Sequence, residues 1–314
     1  MLSVMLSAGR QRFSDWRFLV VADKEDQVIR MEELRKKARL SYVYLGTGLL
    51  LVLAAGLFIA PVCLLGTGGI VLAAYWLLLR KDICRYRDMY RETVALNALG
   101  RYIRPEAYVP KTILSLDSVR QDGCVPMENT QGIVRAGISG SYRDGPVCLT
   151  DISYTYRLAK AGGRTRVIPV SGCYLRMELS ADTGITAVFC SPQLLPDVPL
   201  DLYYEQAGLV RIPCLSIPYR SETLEESGTL YVENGCEERK VEAIGNIMVK
   251  LNRQISGQFV VKVDHRHMFG FVRGRYLGQR EPDCKTRITA EQLDQDLFPE
   301  MRAFLDMADW LETQ

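Results

Sequence analysis

The sequence predicts an α+β protein: an N-terminal transmembrane helical hairpin, then a mostly antiparallel β-sheet domain with an amphipathic helix and a helical C-terminal tail. Three observations predict it. Leu40 to Leu79 contains no Lys, Arg, Asp or Glu, although 24% of the 314 residues are charged. From about Tyr108 to Pro218 the apolar residues recur with period two, the signature of strands. Beyond Thr229 the pattern turns to strand, helix and strand pair, and ends in a helical stretch.

Residues 1–39 form a leader with a charged helix. Asp23 is a good N-cap, Glu25 and Asp26 fall in the first turn, and Val28, Met31 and Leu34 follow at helical spacing. Met1 to Gly9 is too short and too soon followed by Arg10 and Arg12 for a signal peptide, so no cleavable leader is expected. The uncharged run at 40–79 is too long for one span, since a helix rises about 1.5 Å per residue against a hydrocarbon layer of about 30 Å. Pro61 and Gly66-Thr67-Gly68-Gly69 supply a break. The reading is two spans, about Leu40 to Ala60 and Leu64 to Leu79, with Gly69 and Ala73 as a small-residue packing step.

Both flanks are basic: Lys24, Arg30, Arg35, Lys36, Lys37 and Arg39 before the run, Arg80, Lys81, Arg85, Arg87 and Arg91 after it. With Tyr42, Tyr44, Tyr75 and Trp76 at the same interface, this predicts a multi-pass protein of the inner membrane with both termini and the soluble domain in the cytoplasm. A helical stalk follows at 80–105, with Ile83, Tyr86, Tyr90, Val94 and Ala98 on one stripe.

The cytoplasmic α+β domain is expected at 106–314. Ile133 to Ser139 and, with one break in step after Leu149, Val147 to Tyr156 alternate around the turn Arg143-Asp144-Gly145-Pro146, and Ala161-Gly162-Gly163 separates Tyr154 to Leu158 from Arg166 to Val170. Further strands are expected at Tyr174 to Leu179, Ile185 to Cys190 and Leu209 to Ile217. Thr229 to Val232 reads as a strand, Glu237 to Ile255 as an amphipathic helix, and Phe259 to Val263 with Met268 to Val272 as a strand pair. Thr289 and Gln292 form a capping box, and Pro299 splits the tail into two helices.

Composition excludes several classes. A formal net charge of +2 gives no support for nucleic-acid binding. Nine cysteines, an odd number without a Cys-x-x-Cys, argue against both a disulfide framework and a zinc ribbon. The sharpest chemical candidate is Asp264-His265-Arg266-His267, because His265 and His267 are the only histidines and a His-x-His pair on a strand points both rings to one face. A metal needs further ligands, and the spacing also fits an exposed turn between two strands. Gly132, Gly137 and Gly140 alternate with Val134 and Ile138, which says strand rather than phosphate loop. Ser139, Ser141 and Ser180 lack a nucleophile motif, and Glu225-Glu226 and Glu237-Glu238 read as solvated charges.

The charged helix Glu32-Glu33-Leu34-Arg35-Lys36-Lys37, the segments Cys148-Leu149-Thr150-Asp151-Ile152 and Val170-Ser171-Gly172-Cys173-Tyr174, the stretch Thr229 to Arg273 and the closing Asp296-Leu297-Phe298 resemble a bacterial family of two-span membrane proteins, domain of unknown function 3137. The resemblance covers most of residues 30–312 and departs at Ser171, where that family has an aromatic residue. It implies a bacterial cytoplasmic membrane and no assigned activity.

The functional expectation is a membrane-anchored interaction or scaffold protein of the bacterial envelope, with no catalytic, cofactor-binding or metal residues assigned. Its expected partners are the lipid bilayer and a protein, with homo-oligomers allowed and no nucleic acid. The alternative is an enzyme of unrecognised type, metal-assisted through His265 and His267.

Overall fold

A computed structural model describes residues 24–58, 68–69, 72–73, 75, 80–110, 112–127, 130–159, 165–192, 194–195, 198–212, 228–277 and 284–313. The chain divides into two units, residues 1–97 with 280–295 and residues 98–279 with 296–314.

In the first unit, helix α1 (Lys24–Phe58) is continuous over 35 residues, about 52 Å at ~1.5 Å per residue. Its buried stripe is Gln27, Met31, Arg35, Ala38 and Ser41, one register away from the expected Val28, Met31 and Leu34. The polar members of that stripe have partners. Asn97 Nδ2, on helix α2 (Arg80–Leu99), donates to Gln27 Oε1 at 3.0 Å and to Leu293 O at 3.2 Å. Arg35 holds Glu32 through two bonds, Nε to Oε2 at 2.8 Å and Nη2 to Oε1 at 2.5 Å, and Nη1 donates to Cys284 O at 2.8 Å. Along α2 the stripe Ile83, Tyr86, Tyr90 and Val94 is buried.

The expected transmembrane hairpin is overturned: among the described residues no helix is long and apolar enough to cross a membrane. The apolar residues from Leu40 do not begin an element of their own. They continue a helix whose first half is charged and whose inner stripe is built on Gln27, Arg35 and Ser41. The expected reversal at Pro61 and most of the second span at 64–79 lie outside the described residues. The fold class with a membrane hairpin, the multi-pass inner-membrane location and the membrane anchoring are therefore corrected.

The second unit is built on a nine-stranded sheet whose pairings are all antiparallel: β1 (Arg104–Val109), β2 (Gln131–Tyr142), β3 (Gly145–Ala159), β4 (Thr165–Glu178), β5 (Thr186–Cys190), β6 (Leu209–Arg211), β7 (Thr229–Glu233), β8 (Phe259–Asp264) and β9 (His267–Arg273). Their order is β1-β2-β3-β4-β9-β8-β5-β7-β6. The described residues also contain the short helices α3 (Leu116–Asp122) and α4 (Leu200–Gln206), then α5 (Glu238–Gln254), α6 (Ala290–Leu293) and α7 (Met301–Leu311); α6 belongs to the first unit and opens with the Thr289–Gln292 capping box.

Strand alternation gives the sheet two buried faces. One carries Ile152, Tyr154, Val170, Tyr174, Phe271, Val260, Val188 and Tyr231, and packs with Val119, Val125, Leu194, Val198 and Tyr204 from α3, α4 and their connections. The opposite face carries Leu149, Leu175, Met177, Val261, Val263 and Met268. There Phe304 of α7 sits over Gly270 of β9, so closely that a Cβ at position 270 would stand 2.7 Å from its ring. Helix α7 also packs against α5, whose Val241, Ile244, Met248 and Leu251 are buried.

Candidate functional site

The two histidines do not share a face. Asp264 pairs with His267 at the end of the β8–β9 ladder, which leaves His265 and Arg266 as the turn. His265 adopts a left-handed backbone, φ 52°, which a non-glycine residue reaches at a cost that His, Asn and Asp bear best. Its Nδ1 lies 3.2 Å from Asp182 Oδ1, and both side chains are more than half exposed. His267 stacks on Phe269, 5.9 Å between centroids and 14° between planes. Among the described residues no group of three or more His, Cys, Asp or Glu is placed to hold a metal.

The other sequence candidates are dispersed. Gly132, Gly137 and Gly140 all lie within β2, as their alternation implied. Ser139 and Ser141 pair with Cys148 and Pro146 on β3. Ser180 gives its N–H to Glu312 Oε1 at 2.8 Å. Glu237 and Glu238 stand at the start of α5, whereas Glu225 and Glu226 lie outside the described residues. Gly69 is exposed, with open space where a Cβ would stand. The buried thiols are held protonated: burial pushes Cys190 up to about 12 and the partly buried Cys148 up to about 11, far from the thiolate a nucleophile needs.

Next to the histidine turn lies a charged cluster that sequence reasoning missed. Asp122 ends α3 and accepts the Tyr174 hydroxyl at 2.8 Å; Arg176 Nη1 stands 3.5 Å from its other oxygen and donates to Ser118 Oγ at 3.1 Å. Lys262 Nζ donates to the Asp122 carbonyl at 2.8 Å and pairs with Asp264 Oδ2 at 3.0 Å. Both cations flank Phe269, with Arg176 Cζ 5.9 Å and Lys262 Nζ 5.8 Å from the ring centroid. Burial raises the Asp122 pKa, and the bond from Tyr174, then the charges of Arg176 and Lys262, oppose that rise. Each charge answers another, so the cluster ties α3 to three strands.

Two further cations lie at the other end of the long strands. β9 stops pairing with β4 at Gly172, and β2 begins only opposite Thr155, so β3 and β4 run on as a two-stranded arm. On its outward face the register places Ile133 beside Ser153 and Ser171, Gln131 beside Thr155 and Pro169, and Arg157 beside Val167. Ile133 is 59% exposed and Val167 55%, large values for β-branched residues on a sheet. Arg135, the next outward residue after Ile133 and part of a bulge opposite Asp151, is exposed, as is Arg157. Neither guanidinium bonds to any described residue. No Asp or Glu occurs in the sequence from Gln131 to Arg143 or from Ile152 to Met177.

Comparison with family models, with characterised proteins and with solved structures finds no match to this chain, and so nothing that bears on the two-span family.

Proposed function

We propose that this chain is an interaction or scaffold protein that binds a protein partner, without turnover, through the outward face of β2, β3 and β4. The observation that supports it is the contrast between two charged regions of one unit. Around Asp122 the cations Arg176 and Lys262 are paired, and the groups tie structure together. Around Val167 and Ile133, exposed apolar side chains stand beside Arg135 and Arg157, whose charges no described residue answers. Exposed apolar area rimmed by polar groups marks interaction sites in soluble domains, and arginine is enriched where protein surfaces meet.

Photo-crosslinking in cells tests the reading. A photoreactive residue at Val167 should yield one discrete adduct that the same residue at Glu291, in the other unit, does not give. An adduct pattern identical at the two positions, or no adduct at Val167 or Ile133, contradicts the proposal.

A further inference from the structure

Resting on that reading, we infer that the partner presents an acidic segment, extended and alternating carboxylate with apolar side chains, which lies across the outward face of β2, β3 and β4. Four features of the face select this chemistry. Its described cations, Arg135 and Arg157, stand on the outer strands of the exposed patch or at its tip, with Ile133 and Val167 beside them. A segment crossing the patch therefore meets charge and apolar surface in turn. Between them lie Ser153, Thr155 and Ser171, small side chains that keep the surface low; Thr155 Oγ1 donates to Gln131 O at 3.3 Å and the Ser171 hydroxyl is bonded to that of Tyr276. The sequence supplies no acid from Gln131 to Arg143 or from Ile152 to Met177, and Asp151, opposite the Arg135 bulge, is buried and accepts the Leu277 N–H at 2.7 Å. Arginine, with its forked donors, suits carboxylates.

Two other modes fit less well. Addition of a strand to the outer edge of β4 is obstructed by Pro169. Ser171 O accepts the Gly274 N–H on that outer side, so Pro169, two residues earlier, faces the same edge and has no N–H to give. Single-stranded nucleic acid binds by stacking on several aromatic rings, yet Tyr154 and Tyr156 are on the opposite face of β3 from Ser153 and Thr155 by strand alternation, and Tyr276 meets the face through its hydroxyl, at Ser171. A chain of net charge +2 also lacks the long-range field of a nucleic-acid binder.

Fluorescence anisotropy with the full chain distinguishes these. The probes are a labelled peptide alternating Glu with Val, the same peptide with Lys for Glu, and an oligouridine. The Glu-Val peptide should bind, weaken with added salt, and lose about tenfold in affinity with R157E and separately with V167D. R135E serves as the second charge variant should either of these fail to fold by circular dichroism. Equal binding of the Lys-Val peptide overturns the acidic class and leaves an apolar partner. Oligouridine binding lost in R157E overturns it in favour of nucleic acid. Failure of the Glu-Val peptide, while the Val167 adduct still forms in cells, overturns the acidic segment alone; failure of both removes the proposed function as well.

Discussion

The Tyr174 hydroxyl donates to Asp122 Oδ2 at 2.8 Å, joining the middle of β4 to the last residue of α3. Tyr174 is fully buried, so replacing it with Phe leaves the carboxylate short of a donor inside the fold. Y174F should cost about 1–3 kcal/mol in urea unfolding.

The same carboxylate sets a pH dependence. Its folded pKa is raised above the ordinary 3.8 by burial, so between the unfolded and folded values the native state holds more proton. Its contribution to stability is present at acid pH and lost as pH rises through the folded pKa. D122N should flatten that part of the stability-pH curve, and Y174F, by removing a bond to the charged form, should move it to higher pH.

Glu32 behaves oppositely. The paired bonds from Arg35 hold its pKa at about 2, against the smaller upward push of burial, and the Ile288 N–H adds to the lowering. Its contribution is present above the unfolded value, near 4.5, and lost as pH falls toward 2. E32Q should destabilise the first unit by about 1–3 kcal/mol at neutral pH and by much less near pH 2, as read from chemical denaturation at the two pH values.

Gly270 leaves room for the Phe304 ring. G270A should lower stability by about 1–3 kcal/mol through overpacking, and F304L on the same background should recover part of that loss in thermal unfolding. Additive losses in the double variant would show that the two residues do not compete for one space.

The left-handed backbone at His265 makes its own prediction. H265G should leave stability within about 0.5 kcal/mol of the parent, whereas H265V should cost about 1 kcal/mol or more, because β-branched residues avoid that region. A metal-binding role would instead appear as stoichiometric metal in the parent, lost in H265A and in H267A.

Local patterns in the sequence reached the local elements. The alternation from Ile133 to Ser139 and from Val147 to Tyr156 corresponds to β2 and β3, and the stripe from Val241 to Leu251 to α5. The strand pairing was not legible. Nothing local tells β4 to lie beside β9, or β5 between β8 and β7, because those pairings are set by contacts distant in sequence. Two expected strands, Arg166 to Val170 and Tyr174 to Leu179, are mostly one strand, β4: Gly172 lets it pass where a Cβ would stand 2.2 Å from Val272 O. The helices α3 and α4, about two turns each, were submerged in the period-two region. Hydrophobic spacing misplaced the inner stripe of α1, because Gln27 and Arg35 are buried by virtue of partners on Asn97, Glu32 and Cys284. The charge-free run suggested a membrane hairpin because composition carries no record of the helix it continues. For the candidate face one signal was available and unused: the absence of any acid between Ile152 and Met177 around Arg157 and Arg166.

The proposal that the outward face of β2, β3 and β4 is the working surface is tested most directly by how substitutions change the Val167 crosslink in cells. With the photoreactive residue at Val167, the account predicts that I133D with R157E abolishes the adduct while H265A with H267A leaves it at parental yield, both proteins being equally abundant and folded. An adduct that survives I133D with R157E, or that disappears when only the histidines are replaced, would contradict it.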